Sequence, residues 1–140
     1  KTQTTQYQRE TNYKQMKEIL WVGIGGSIGS ILRYLTSVYV MKNFDTYFPV
    51  PTLLVNITGS LLIGIILGMM EKEQISHPGL KLFFITGFCG GFTTFSAFAA
   101  ENLRLFANGN PLGAILYMAL SLLLGLGAVA MGYYLMSAIK

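Results

Sequence analysis

The chain has 140 residues, of which 52% are hydrophobic and 11% charged, and its formal net charge is +4. Such a balance excludes an ordinary soluble domain and points to a small integral membrane protein. The basic residues are scattered over a tail and loops with no interleaved aromatic patch, which excludes nucleic acid as a partner.

Residues 1–17 are polar, rich in Gln, Thr and Lys, and show no apolar period. They read as a disordered or surface-lying tail ahead of a four-helix domain over residues 18–140. The chain opens on Lys1 rather than Met, as expected where a start is missing or altered. Trp21 stands where an interfacial anchor would. The first span is expected over residues 19–41, long enough to cross about 30 Å of hydrocarbon. It is too long for a signal peptide, and no small-residue cleavage site follows it before Arg33 and Tyr34. Gly25 and Gly29 form a small-xxx-small face that admits a neighbouring helix closely. Arg33 is the only strong base inside the first span. It either faces protein or water with a partner, or snorkels to headgroups from the far end of its helix.

A short connection carrying Asp45, Pro49 and Pro51 leads to the second span, expected over residues 52–70. Gly64 and Gly68 repeat the close-packing spacing. Asn56, Thr58 and Ser60 lie in its first half. The Asn56 amide can donate two hydrogen bonds and accept others, so it either glues helices together or coordinates something polar. In the next loop His77 sits beside Pro78 and reads as solvated.

The third span is expected over residues 80–107, and its centre organises the rest. From Thr86 to Asn102 the chain reads Thr-Gly-Phe-Cys-Gly-Gly-Phe-Thr-Thr-Phe-Ser-Ala-Phe-Ala-Ala-Glu-Asn. Gly87, Gly90 and Gly91 each weaken a helix by about 1 kcal/mol relative to Ala. Thr93, Thr94 and Ser96 bring hydroxyls where hydrocarbon would be expected. A helix broken at mid-membrane is tolerated only inside protein or along a watery cavity. In channels and transporters such breaks offer backbone groups to ions, so the stretch reads as an ion site. Phe95 and Phe98 project from one helical face; they are either a packing stripe or rings that turn positive edges to an anion. Cys89, the single cysteine, cannot form an internal disulfide and reads as a small buried hydrophobe. Glu101 is expected to pair locally with Arg104. After the turn at residues 108–111 the fourth span is expected over 112–139, with Tyr117 and Ser121 on one face.

Leaving out the first 14 residues, the basic residues on the two sides nearly balance, which suggests insertion both ways round; the tail tilts the N-terminus inside. Four helices do not easily enclose a protected path, so oligomerisation is expected. An antiparallel homodimer would bring two Gly90-Gly91 breaks together at the midplane.

Three stretches then coincide with one family. Gly25-Gly26-Ser27-Ile28-Gly29 with Arg33-Tyr34, Thr52-Leu53-Leu54-Val55-Asn56-Ile57-Thr58-Gly59-Ser60, and Gly87-Phe88-Cys89-Gly90-Gly91-Phe92-Thr93-Thr94-Phe95-Ser96-Ala97-Phe98 together resemble the Fluc (CrcB) fluoride channels in order, spacing and four-span length. The resemblance covers everything from about residue 19. It implies an all-α, dual-topology, antiparallel homodimer in the cell membrane, with two fluoride pores and a structural sodium ion between subunits. It implies that Gly90 and Thr93 offer carbonyls to sodium and that Phe95 and Phe98 meet fluoride with their edges. Asn56 would be a pore-side donor, Thr94 and Ser96 would replace hydration, and Tyr117 and Ser121 would line the same route. Arg33 matches a first-span arginine that is structural or makes a mouth electropositive. This chain departs from the family pattern at Ala97, where a hydroxyl is usual, at Pro51, where glycine is common, and in its long tail.

Two other functions are weighed against a passive fluoride channel. A small multidrug-resistance-like, proton-coupled exporter needs a carboxylate in the first span, which holds none. A purely structural subunit predicts that Phe95→Ile leaves ion flux unchanged. No constellation of His, Asp, Glu and Ser converges on one face, so an enzyme is not expected.

Overall fold

In a computed structural model the protein is described over residues 2–44 and 48–139. Lys1 in the tail, Asp45 in the first connection and Lys140 at the end lie outside the described residues. The described chain is helical: α1 (Thr2–Asn43), α2 (Val50–Glu71), α3 (Pro78–Lys81), a π-helical stretch (Leu82–Cys89), α4 (Gly90–Phe92), α5 (Phe95–Ala107) and α6 (Pro111–Ala138). Four stretches are long and apolar enough to cross a bilayer: Gln6–Asn43, Val50–Glu71, Pro78–Ala107 and Pro111–Ala138. The protein is a multi-pass membrane protein.

Proline and capping side chains set the starts. α2, α3 and α6 each carry proline in the first turn, where the missing N–H costs nothing. Asn110 accepts from the Gly113 N–H at 2.9 Å. Exposed His77 caps α3, its Nδ1 accepting from the Gly79 N–H at 3.1 Å. At the front, the polar tail does not lie apart from the first span: α1 is helical from Thr2. Gln, Lys and Glu are good helix formers, and a span already helical removes the nucleation cost of extending it.

Two helix pairs pack through glycine. A Cβ on Gly25 would overlap the Phe83 carbonyl oxygen, and one on Gly29 the Phe88 carbonyl oxygen, so α1 lies backbone to backbone on the π-helical stretch. In the other pair, a Cβ on Gly64 would overlap the Val129 carbonyl oxygen and one on Gly132 the Leu61 carbonyl oxygen, locking α2 to α6. Gly68 is in the same contact, against Met136 and Tyr133. In membranes such close approach drives association, because lipid is as apolar as leucine. Buried Ile66, Ile75 and Cys89 join the pairs, with Leu62, Met70, Phe84 and Phe88 packed around them. Cys89 is fully buried, as expected of a small hydrophobe. Gly132→Val is therefore expected to lower the stability of purified protein by about 1–3 kcal/mol or more, because a backbone and not a side chain must yield; melting in detergent measures it.

The third span is interrupted, but not at its glycines. Gly90 is helical at φ −63°, ψ −36°, and Gly91 and Phe92 continue the helix. The chain opens at Thr93 (φ −80°, ψ 160°) and Thr94 (φ −150°, ψ 116°) and turns helical again at Phe95. Two successive β-branched residues suit extended backbone. Gly87 and Gly91 serve α1 instead: a Cβ on Gly91 would come within 2.5 Å of the Gly26 carbonyl oxygen.

Candidate ion site

Each residue of the interruption has a hydrogen-bonding task. The Thr93 N–H and hydroxyl both donate to the Cys89 carbonyl, each at 2.9 Å. The Thr94 hydroxyl oxygen caps α5, accepting from the Ala97 N–H at 3.2 Å, and stands 3.3 Å from the Ser96 hydroxyl. Asn56 reaches across from α2 and grips the Thr94 backbone on both sides. Its Oδ1 accepts from the Thr94 N–H at 2.8 Å, and its Nδ2 donates to the Thr94 carbonyl at 3.2 Å. Arg33 Nε reaches across from α1 and donates to the Gly91 carbonyl at 3.0 Å.

Beside the interruption lies an open cavity of about 340 Å³. Asn56 and Ser60 of α2, Thr93, Thr94, Phe95 and Phe98 of the third span, and Met118 and Ser121 of α6 line it. The structure thus brings together Asn56, Thr93, Thr94, Phe95, Phe98 and Ser121. Ser96 is exposed and touches this group through Thr94. Phe95 and Phe98 have ring centroids 5.8 Å apart, tilted by 41°. Phe95 is 80% exposed.

The cavity is poor in charge and rich in unspent donors. The Asn56 amide has a second N–H beyond the one given to Thr94. The Ser121 hydroxyl is buried without a protein partner. Between Thr94 and Ser96 one hydroxyl hydrogen serves the mutual contact, which leaves the other free. Small donors around two rings suit an anion.

Tyr117 does not line this cavity. It is fully buried, its ring 5.1 Å from Phe98, and its hydroxyl donates to Glu101 Oε2 at 2.8 Å. Thr52 donates to Glu101 Oε1 at 2.6 Å. Glu101 is therefore not the local partner of Arg104 that the sequence suggested; Arg104 is exposed. Thr52 and Glu101 sit 49 positions apart in sequence, a contact that only the fold reveals. The cue available beforehand was an acid one turn after Phe98 within an apolar span.

Gly90 is exposed and Thr93 half-buried. Among the described residues no group of His, Cys, Asp or Glu could hold a metal. A cation here would rely on backbone oxygens, a donor set that suits a hard ion. The Cys89 and Gly91 carbonyls already accept hydrogen bonds.

A family model described as "CrcB-like protein, Camphor Resistance (CrcB)" matches residues 20–133. A protein of Flavobacterium psychrophilum is 49% identical over 117 residues, which is 84% of this chain and 94% of that protein. One of Azobacteroides pseudotrichonymphae is 43% identical over 120 residues, 86% of this chain and 96% of its own length. One of Bacteroides fragilis is 46% identical over 123 residues, again 86% and 96%. All three are named "Fluoride-specific ion channel FluC".

Proposed function

The chain belongs to the CrcB-like family, and on that premise we propose that it is a passive, fluoride-selective channel that lets fluoride leave the cytoplasm. Fluoride enters cells as the neutral acid, dissociates at cytoplasmic pH, and needs a route out. The observation that carries this reading is the cavity beside the interruption, where Phe95 and Phe98 meet spare donors from Asn56, Ser121 and the Thr94–Ser96 pair. Ring edges carry positive potential, so they attract an anion weakly and repel cations. The donors take over part of the ion's hydration. A conducting site must bind well enough to admit the ion and loosely enough to release it; edges and single hydrogen bonds meet both demands, whereas a fixed cation beside the rings would trap fluoride.

The finer reading is an antiparallel, dual-topology homodimer with two pores, interrupted helices at the midplane, and sodium at the two-fold axis. What supports it is the open cavity that Phe95, 80% exposed, lines with Asn56, Thr94 and Ser121, which a second copy would close. The Gly90 and Thr93 carbonyls of one chain are half a coordination shell, and a second copy would complete it. Sodium there would cross-link the two interruptions electrostatically.

An exporter like the small multidrug-resistance transporters finds no support here. Its working carboxylate must be free to exchange protons and substrate, and Glu101 is engaged by two hydroxyl donors. Liposomes loaded with potassium fluoride and purified protein test the channel reading with a fluoride electrode. Rapid efflux on adding a potassium ionophore is expected, with no comparable chloride efflux; fluoride release no faster than chloride would end it.

A further inference from the structure

Arg33 lies on one stripe of α1 with Gly25, Gly26, Gly29 and Ser30, and the glycines let α1 approach the helix that ends at Phe92. What Arg33 binds there is a carbonyl, not a carboxylate: Nε donates to the Gly91 oxygen at 3.0 Å. The Ser30 hydroxyl reaches the same oxygen at 3.4 Å. Gly91 stands two residues before the extended pair, at the negative end of its half-helix, where a cation is favoured. On the far side Asn56 holds Thr94. The extended pair is thus anchored from α1 before it and from α2 after it.

We propose that Arg33 is a positioning residue for conduction, acting by its Nε–H cap on the Gly91 carbonyl and not by its charge at a pore mouth. This rests on the channel reading above. The cap fixes where the half-helix ends. That end sets the direction in which Thr93, Thr94 and the following Phe95 leave it. The cap also withdraws the Gly91 oxygen from competition, leaving the Gly90 and Thr93 carbonyls as the ones on offer. A long side chain anchored through its inner nitrogen cannot sweep freely through a vestibule.

The donor's place in the side chain makes the idea testable. Nε is the fourth atom beyond Cα, and glutamine carries its amide nitrogen at the same count. Arg33→Gln keeps the donor and loses the charge. Arg33→Lys keeps the charge and puts a methylene where the donor was. Arg33→Met keeps neither. If the cap is what matters, fluoride efflux from liposomes falls at least about tenfold in the Lys and Met variants, the scale of one lost hydrogen bond to a charged group. In Arg33→Gln it then stays within about threefold of wild type. Hydrogen exchange should rise in peptides spanning residues 88–98 of the Lys and Met variants, not in Gln, while peptides of α6 stay unchanged. A global loss of stability would move both regions together.

Efflux from Arg33→Lys close to wild type with Arg33→Gln down tenfold would overturn the proposal in favour of charge. So would an Arg33→Gln protein that fails to fold, since it retains the cap. Failure of the wild type to release fluoride would instead sink the channel reading, while the exchange pattern would still judge the cap.

Discussion

Phe98→Ile is expected to slow fluoride efflux by at least about 30-fold while leaving the helices in place. The ring lies between the cavity and the buried Tyr117, 5.8 Å from the Phe95 ring and 5.1 Å from that of Tyr117. Isoleucine fills much of the same space, so the cost in packing is the lost ring–ring contact, about 0.5–1.5 kcal/mol each. What cannot be replaced is the positive edge. A desolvated ion–ring contact is worth about 2 kcal/mol on the cation side of the quadrupole, and the edge–anion contact is of the same order. At about 1.4 kcal/mol per factor of ten, that loss is about 30-fold in rate. Phe106→Ile is the control. It stands on the last turns of the same helix, 46% exposed and away from the cavity, and its efflux should match wild type. Equal efflux from wild type and Phe98→Ile, in protein whose melting is unchanged, would remove the rings from the route.

The spans were readable because composition alone marks them: a run of apolar residues with few charges has no stable place in water. The interruption was readable as a stretch but not as a residue. Gly90 and Gly91 argue against helix by propensity, yet both are helical, and at Gly91 the missing Cβ is what lets α1 approach. Packing overrode propensity, and the opening fell on the two threonines after them. Asn56 illustrates a different limit. Gluing helices and facing a site are not alternatives at this residue, whose side chain grips Thr94 while lining the cavity. Tyr117 and Ser121 share a helical face by spacing, but spacing does not say how deep a face lies. Ser121 reaches the cavity, whereas Tyr117 is turned one layer back to Glu101.

The Glu101 cluster yields the second large effect, in stability. Glu101→Ala is expected to cost about 3 kcal/mol or more, whereas Arg104→Ala should cost within about 0.5 kcal/mol, as exposed substitutions do. The carboxylate accepts two hydrogen bonds, from Thr52 at 2.6 Å and Tyr117 at 2.8 Å, and the two donors come from α2 and α6. A hydrogen bond to a charged group contributes about 1.5–3 kcal/mol. Removing the acceptor also strands the Tyr117 hydroxyl, which is fully buried, and a stranded donor costs about 1–3 kcal/mol. Tyr117→Phe removes a donor and leaves Glu101 its bond from Thr52, so it should cost less than Glu101→Ala. Were Glu101 held by Arg104 instead, the order would reverse: Arg104→Ala would approach the cost of Glu101→Ala, and Tyr117→Phe would be silent. Melting of the variants in detergent, with a Glu101/Tyr117 double-mutant cycle giving a coupling of about 1–2 kcal/mol, separates the two. Because Phe98 packs on Tyr117, the same cluster sets the floor beneath that ring, so Tyr117→Phe should keep efflux near wild type while Tyr117→Ala, which removes the floor, should lower it.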